Sequence, residues 1–189
     1  MKNLIINIYG GPGCGKSTRI NYIASLLKLN GIPCEVCSEF AKDEIHKGCA
    51  ENLKDQKYIF GNQQHILKKL TEIYPIIIND GTLMNCIMYD LSNDKEFHNV
   101  IYKAYKEYEN LNYFIERRND IHFVQEGRVH DYEESLKKDK EILNILNEYK
   151  EPYEIFNLEK IINDILDWYH KNVKEIDKNT FNYNYEENI

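Results

Sequence analysis

Arginine is scarce in this 189-residue chain: four residues, against twenty lysines. Long apolar runs are missing as well. Runs such as Leu4-Ile5-Ile6 and Ile76-Ile77-Ile78 fall far short of the roughly 20 residues that span a bilayer. The amino terminus has one lysine, then a strand-like run without a small-residue cleavage site, so it does not read as a secretion signal. The expectation is a cytoplasmic chain without a membrane partner. Five cysteines leave at least one unpaired and are too few for a disulfide scaffold. Cys34 and Cys37 have C-x-x-C spacing, but no second pair or nearby histidine completes a tetrahedral zinc site, and the six histidines form no convincing metal set.

A length of 189 residues suits one domain with one substantial core. The formal charge of −7, from 31 acidic and 24 basic residues, argues against a protein that coats duplex nucleic acid, although a local basic site is compatible with it. At 42% hydrophobic and 29% charged, the composition excludes collagen-like and disordered classes.

Strand and helix signals alternate along the chain. Lys2 to Tyr9 reads as a buried strand that stops at Gly10-Gly11-Pro12-Gly13, and a helix runs from Ser17 towards Gly31. Further strands are expected at Cys34 to Ser38, Ile76 to Asn79, Leu111 to Ile115 and Pro152 to Phe156. Between them the pattern predicts helices over Phe40 to Leu53, Gln63 to Tyr74, Met84 to Asp90, Val100 to Tyr108 and Glu133 to Tyr149, with a last one over Leu158 to Tyr169. Three consecutive isoleucines in one strand call for burial on both faces, as in a parallel sheet covered by helices. The expected fold is a three-layer α/β domain over residues 1–170 with a five-stranded, mainly parallel sheet, followed by a loosely packed polar tail over 171–189. Within it, residues 116–131 form an irregular excursion.

The most specific feature is Gly10-Gly11-Pro12-Gly13-Cys14-Gly15-Lys16-Ser17, a complete G-x-x-x-x-G-K-S pattern between a strand and a helix. Successive backbone N–H groups there surround a phosphate, and the helix terminus adds a favourable dipole. Glycines permit the turns, Lys16 neutralises β/γ-phosphate oxygens, Ser17 coordinates Mg2+, and Thr18 supports the helix start. Cys14 is a variable loop position. Glu39 and Asp80 each follow a predicted strand, at the end where open α/β sheets bind ligands. Glu39 suits a general base or an anchor for a substrate hydroxyl, and Asp80 suits water bound to the metal; loop solubility or helix capping is the plainer reading of both. Asp43 and Glu44 are weaker acidic candidates. Three of the four arginines, Arg117, Arg118 and Arg128, fall in the excursion. Their planar forks suit phosphate oxygens, so the excursion reads as a lid, with surface pairing to Glu116, Glu126 and Asp131 as the alternative. Tyr58, Phe60, Gln63 and Gln64 form a strip able either to enclose a nucleoside or to pack a helix. Trp168 and Tyr169 read as packing of the last helix.

On the Gly10 to Thr18 loop, Val36 to Lys42, Ile76 to Asp80, and Arg117 with Val124 to Arg128, the chain resembles the P-loop small-molecule kinases. It is most similar to the kinase domain of bifunctional nicotinamide riboside kinases and to related AAA-type ATPase-like phage and bacterial proteins. The resemblance spans roughly residues 3–170. It implies ATP and Mg2+ as cofactors, Glu39 beside the phosphoryl acceptor, Asp80 at the acidic end of the third strand, and Arg117 and Arg128 as lid arginines. Gly81-Thr82 stand where many nucleoside and nucleotide kinases place an arginine, so an acceptor phosphate would be held elsewhere or be absent.

The expected activity is ATP-dependent phosphoryl transfer to a nucleoside, nucleotide or related small metabolite. A polynucleotide end kinase and a nucleotide-gated ATPase or interaction module are the alternatives. Oligomeric state is left open.

Overall fold

A computed structural model describes residues 2–117, 132–175, 177 and 181–183. Most of the 116–131 excursion, with Arg118 and Arg128, therefore lies outside the described residues. Five strands, β1 (Leu4–Tyr9), β2 (Cys34–Cys37), β3 (Ile76–Asn79), β4 (Glu109–Phe114) and β5 (Glu154–Ile155), form one all-parallel sheet in the order β2-β3-β1-β4-β5. The helices are α1 (Lys16–Leu29), α2 (Phe40–His46), α3 (Gln56–Thr71), α4 (Asn85–Tyr89), α5 (Lys95–Tyr105), α6 (Tyr132–Glu148) and α7 (Leu158–Asn172). None of the described helices is long and apolar enough to cross a membrane.

Every residue of β1 is buried, because helices cover both faces of the sheet. The alternation of side chains divides the core in two. Leu4, Ile6 and Ile8 pack with Ile20, Ile23 and Leu27 of α1 and with Ile161, Ile165 and Trp168 of α7. Ile5 and Tyr9 belong to the opposite layer, with Ile59 and Leu67 of α3, Ile101 of α5 and Leu146 of α6. Trp168 donates its indole N–H to Glu109 at 2.8 Å while packing α7, as its reading from sequence anticipates.

Amides cross the centre of this apolar sheet. Asn79 donates to Asn7 Oδ1 at 3.0 Å, and Asn7 donates to Asn112 Oδ1 at 3.1 Å and Asn110 Oδ1 at 2.9 Å. Asn7 stands in register with Asn79 on one side and Asn112 on the other. A slip of either neighbour by one residue would strand buried amides, so the row favours a single register.

Several boundaries differ from those read in the sequence. The helix expected from Phe40 to Leu53 breaks at Gly48, whose φ of 77° turns the chain into a short 3-10 segment at Ala50–Lys54. α3 begins at Gln56, because Asp55 accepts the backbone N–H groups of Lys57 and Tyr58. Asp94 caps α5 in the same manner, starting it before Val100. Of the tail, Phe181 packs against the α1 and α7 core layer, and Asn182 exchanges two hydrogen bonds with Asn30, at 2.7 and 2.9 Å.

The chain leaves β1 through α1 towards β2, whereas it leaves β3 back across β1 towards β4. The outgoing loops therefore diverge between β1 and β3, and this opens a crevice at their carboxyl ends.

Candidate active site

That crevice receives the loop between β1 and α1. Gly10, Gly13 and Gly15 have φ of 149°, 85° and 81°, values that let the backbone wind where side chains would obstruct it. α1 starts with no acidic residue in its first turn and no side-chain cap, so its positive end faces the loop without an internal counter-anion. Lys16 folds back over the loop and donates to the Gly10 carbonyl at 2.8 Å. Burial works against its ammonium charge, but Cys14, Glu39, Asp80 and Asp139 surround it and hold its pKa above the ordinary lysine value. Lys16 is thus a firmly charged cation held at the loop by a weak neutral acceptor.

Ser17, one residue on, donates its hydroxyl to Asp80 Oδ2 at 2.8 Å. Lys42 Nζ reaches the same hydroxyl at 3.3 Å. Asp80 is only 6% exposed, its N–H is fixed on the Cys37 carbonyl at 3.0 Å, and its Oδ1 is buried without a hydrogen-bond partner among the described residues. A hydroxyl oxygen beside a carboxylate with a spare oxygen suits the hydrated shell of Mg2+, which keeps several waters and takes few protein ligands. No group of three or more acidic, histidine or cysteine side chains able to hold a metal occurs among the described residues, so phosphate and water would have to complete such a shell.

Glu39 is the N-cap position of α2 and is half-buried. Burial pushes its carboxyl above the usual range; Asp80 and Asp43 add to that, and Lys16 and Lys42 oppose it. Burial, with Glu39 adding, also lifts the Cys86 thiol to about 12, which sets α4 opposite the carboxylate. Lys16 and Glu39 of the expected trio therefore act on each other, and Asp80 acts on both.

Arg117 also meets the loop, from the carbonyl side. It donates Nε to Asp139 Oδ2 at 2.5 Å, Nη2 to the Pro12 carbonyl at 2.9 Å, and Nη2 to Ser135 Oγ. Asp139 in turn accepts the Gly11 N–H at 2.5 Å, and Ser135 donates to Pro12 O. A Cβ at Gly11 would stand 2.5 Å from the Ser135 carbonyl, so only glycine lets α6 press this closely on the loop.

On the other flank, Arg19 donates to the carbonyls of Cys14 at 2.7 Å and Gly15 at 3.3 Å. Its guanidinium carbon lies 5.5 Å from the Phe156 ring centroid. Arg19, Ile115, Phe156, Asn157 and Tyr183 contribute to an open groove of about 730 Å3 beside α1, which Arg19 links to the loop through its bonds to Cys14 and Gly15. Sequence reasoning missed Arg19, Phe156, Ser135 and Asp139. The position of Arg19 directly after Gly-Lys-Ser-Thr was the one available signal; the others come from segments far away in the chain.

The remaining candidates scatter. Asp43 is half-buried, whereas Glu44 is buried and bonded to Asn52 and Lys47. Tyr58 is exposed and Phe60 is core, so they do not form the expected strip together with Gln63. Cys34 and Cys37 belong to opposite core layers, and burial pushes both thiols up to about 12. They form no joint centre.

No family model and no curated protein matches the sequence. Among solved structures, the NadR protein in complex with NR aligns with a TM-score of 0.62 at 14% identity, covering 82% of this chain and 46% of that one. The chain thus spans a little under half the length of that protein. Looser matches are the Mycobacterium tuberculosis APS kinase CysC (TM-score 0.39, 13% identity, 77% of this chain and 98% of that one) and shikimate kinase from Bacteroides thetaiotaomicron (0.41, 16%, 88% and 98%). The NadR likeness establishes the fold, in agreement with the three-layer α/β architecture and five-stranded sheet read from the sequence.

Proposed function

We propose that this chain is an ATP-dependent phosphotransferase that moves the γ-phosphoryl group onto a hydroxyl of a small metabolite, a nucleoside or nucleotide being the favoured class. The observation that carries the reading is the Ser17–Asp80 hydrogen bond of 2.8 Å beneath the phosphate loop, with Asp80 Oδ1 left unpartnered beside the Lys16 and Glu39 charges. Such a constellation at strand ends is what phosphoryl transfer needs, because its catalysis is mainly positioning and charge stabilisation.

In this reading the backbone amides of Gly13 to Ser17 cradle the donor phosphates. Lys16 exchanges the Gly10 carbonyl for β/γ-phosphate oxygens, a gain of a charged partner for a neutral one. The donor's base lies in the groove lined by Arg19 and Phe156, where an apolar ring and a planar cation offer stacking surface. Ser17 would hold Mg2+, with Asp80 fixing one of its waters, and the ion would supply neutralisation of the phosphate oxygens. Glu39 accepts the proton of the acceptor hydroxyl as its oxygen bonds to the γ-phosphorus; the bond to the bridging oxygen breaks and ADP leaves. Arg117 holds the loop through Pro12 and Asp139, and Arg128 is the proposed charge over the phosphoryl group in flight.

Incubation with MgATP and a panel of nucleosides, nucleotides, nicotinamide riboside and a 5′-hydroxyl oligonucleotide, read by phosphorus NMR and mass spectrometry, tests this. The expected result is a phosphorylated small acceptor. Hydrolysis of ATP with no transfer to any of them would sink the kinase reading, and transfer to the oligonucleotide alone would replace it with end-kinase work.

A further inference from the structure

Gln63 of α3 has no part in the chemistry above, yet it is 3% exposed and fully engaged. Its Oε1 accepts the Phe40 N–H at 2.8 Å, and its Nε2 donates to the Ser38 carbonyl at 3.0 Å and reaches Cys37 Sγ at 3.2 Å. Ser38 and Phe40 are the two chain neighbours of Glu39. One amide therefore holds the backbone on both sides of that residue. The same amide lies flat against Gly81, the residue after Asp80: a Cβ there would stand 2.6, 2.7 and 2.9 Å from its Oε1, Cδ and Nε2. Asp80 is itself tied to the β2 end through the Cys37 carbonyl.

We propose that Gln63 is a positioning residue that sets the placement of Glu39 relative to Asp80, and hence of the acceptor hydroxyl relative to the metal-side phosphate. This inference rests on the kinase reading. A primary amide is the side chain that presents an acceptor and a donor in one plane to a facing N–H and C=O. Leucine offers neither. Glutamate accepts from Phe40 N–H at any pH, but it donates to Ser38 O only while protonated. Gly81 completes the device, since any larger residue would push the amide away from residues 38–40.

Three variants test it, each assayed below its own melting temperature: Gln63→Leu, Gln63→Glu and Gly81→Ala. Gln63→Leu is expected to lower kcat about 10²-fold, as a misplacement of about 1 Å can do, and to leave the KM for ATP within about twofold. Gly81→Ala should fall in parallel. Gln63→Glu should approach wild type at low pH and lose ground as pH rises and its carboxyl ionises, a limb absent from the leucine variant. The readout independent of activity is the titration of Glu39, followed by carbon-13 NMR of labelled glutamate and assigned with Glu39→Gln. Glu39 is faced by Lys16 and Asp80, by Lys42 and Asp43 of its own helix, and by Cys86 and Tyr89 of α4, so a displaced backbone must change its pKa. A Gln63→Leu protein with wild-type kcat and an unmoved Glu39 titration, whatever its melting temperature, overturns the proposal. If the wild-type protein transfers phosphate to no acceptor, the kinase reading fails. The Glu39 titration alone then decides whether Gln63 positions that carboxylate.

Discussion

Ser17 and Asp80 lie sixty-three residues apart in sequence and meet through a 2.8 Å hydrogen bond that joins the first turn of α1 to the end of β3. The bond holds a hydroxyl and a carboxylate in place before any ligand arrives; if Ser17 coordinates Mg2+ as proposed, such preorganisation is what makes electrostatic stabilisation effective. Ser17→Ala and Asp80→Asn should each reduce kcat/KM by about 10²–10³-fold, with a raised Mg2+ requirement in the first. The double variant should lose much less than the product of the two, since both remove the same arrangement. Steady-state transfer across a Mg2+ series measures this; multiplicative losses would mean that the two side chains act apart.

If Glu39 is the base as proposed, it links catalysis to stability. Burial pushes its carboxyl up, so it ionises above the usual glutamate range, and kcat/KM should rise with pH through that shifted value as the base becomes available. Lys42 opposes the shift, so Lys42→Met should move the limb to still higher pH. The stability effect has the opposite sign to that of a paired carboxylate. A folded pKa above the unfolded one means that the native state binds the proton more tightly. The resulting penalty is absent below the unfolded pKa, grows as pH rises, and is complete above the folded pKa. Glu39→Gln should therefore abolish transfer yet raise the melting temperature at pH 8, by ~2–4 °C for each kcal/mol recovered. The gain should vanish near pH 3. A variant that is less stable than wild type at pH 8 would contradict the assigned burial cost.

The groove beside α1 predicts a different kinetic signature. Phe156 makes no hydrogen bond to the loop among the described residues and meets Arg19 through its ring, so Phe156→Ala should raise the KM for ATP with kcat nearly unchanged, the mark of uniform binding. Base–aromatic contacts suggest an effect of ~1–3 kcal/mol. Arg19→Met should also lower kcat, because Arg19 braces the Cys14 and Gly15 carbonyls of the loop itself. Equal effects of both variants on kcat would argue that the donor's base lies elsewhere.

These contrasts mark what the sequence made legible. The glycine-rich loop after β1 and the strand-end placement of Glu39 and Asp80 could be read because strand, turn chemistry and charge lie side by side in the chain, and a parallel sheet brings all its strand ends to one rim. The Ile76-Ile77-Ile78 run of β3 likewise announced burial on both faces. For Gln63 the sequence left pocket wall and helix packing both open, because its spacing in α3 suits either, and the approach of the loop after β2 is what turns its amide inward. Asp139 was invisible for a related reason. Its partners Gly11 and Arg117 lie 128 and 22 residues away, and nothing in the periodicity of α6 distinguishes it from a solvated acid.

Asp139 also supplies the prediction with two opposing signs. Its carboxylate joins the Arg117 guanidinium to the Gly11 N–H, and it is among the negative neighbours that hold Lys16 charged. In the ligand-free protein, Asp139→Asn should lower the melting temperature, because Arg117 loses its partner in a largely buried place. With nucleotide present the balance reverses. An anionic phosphate approaching the loop would meet one negative charge fewer, and Arg117 would be released to face it. Since a ligand stabilises by RT ln(1 + [L]/Kd), the ATP-induced rise in melting temperature at a fixed ATP concentration should be larger for Asp139→Asn than for wild type. Melting curves with and without ATP measure both quantities in one experiment. A smaller ATP-induced rise in the variant would mean that the Asp139 clamp shapes the loop for phosphate instead of competing with it. Arg117 would then act on the donor only through Pro12 and Ser135.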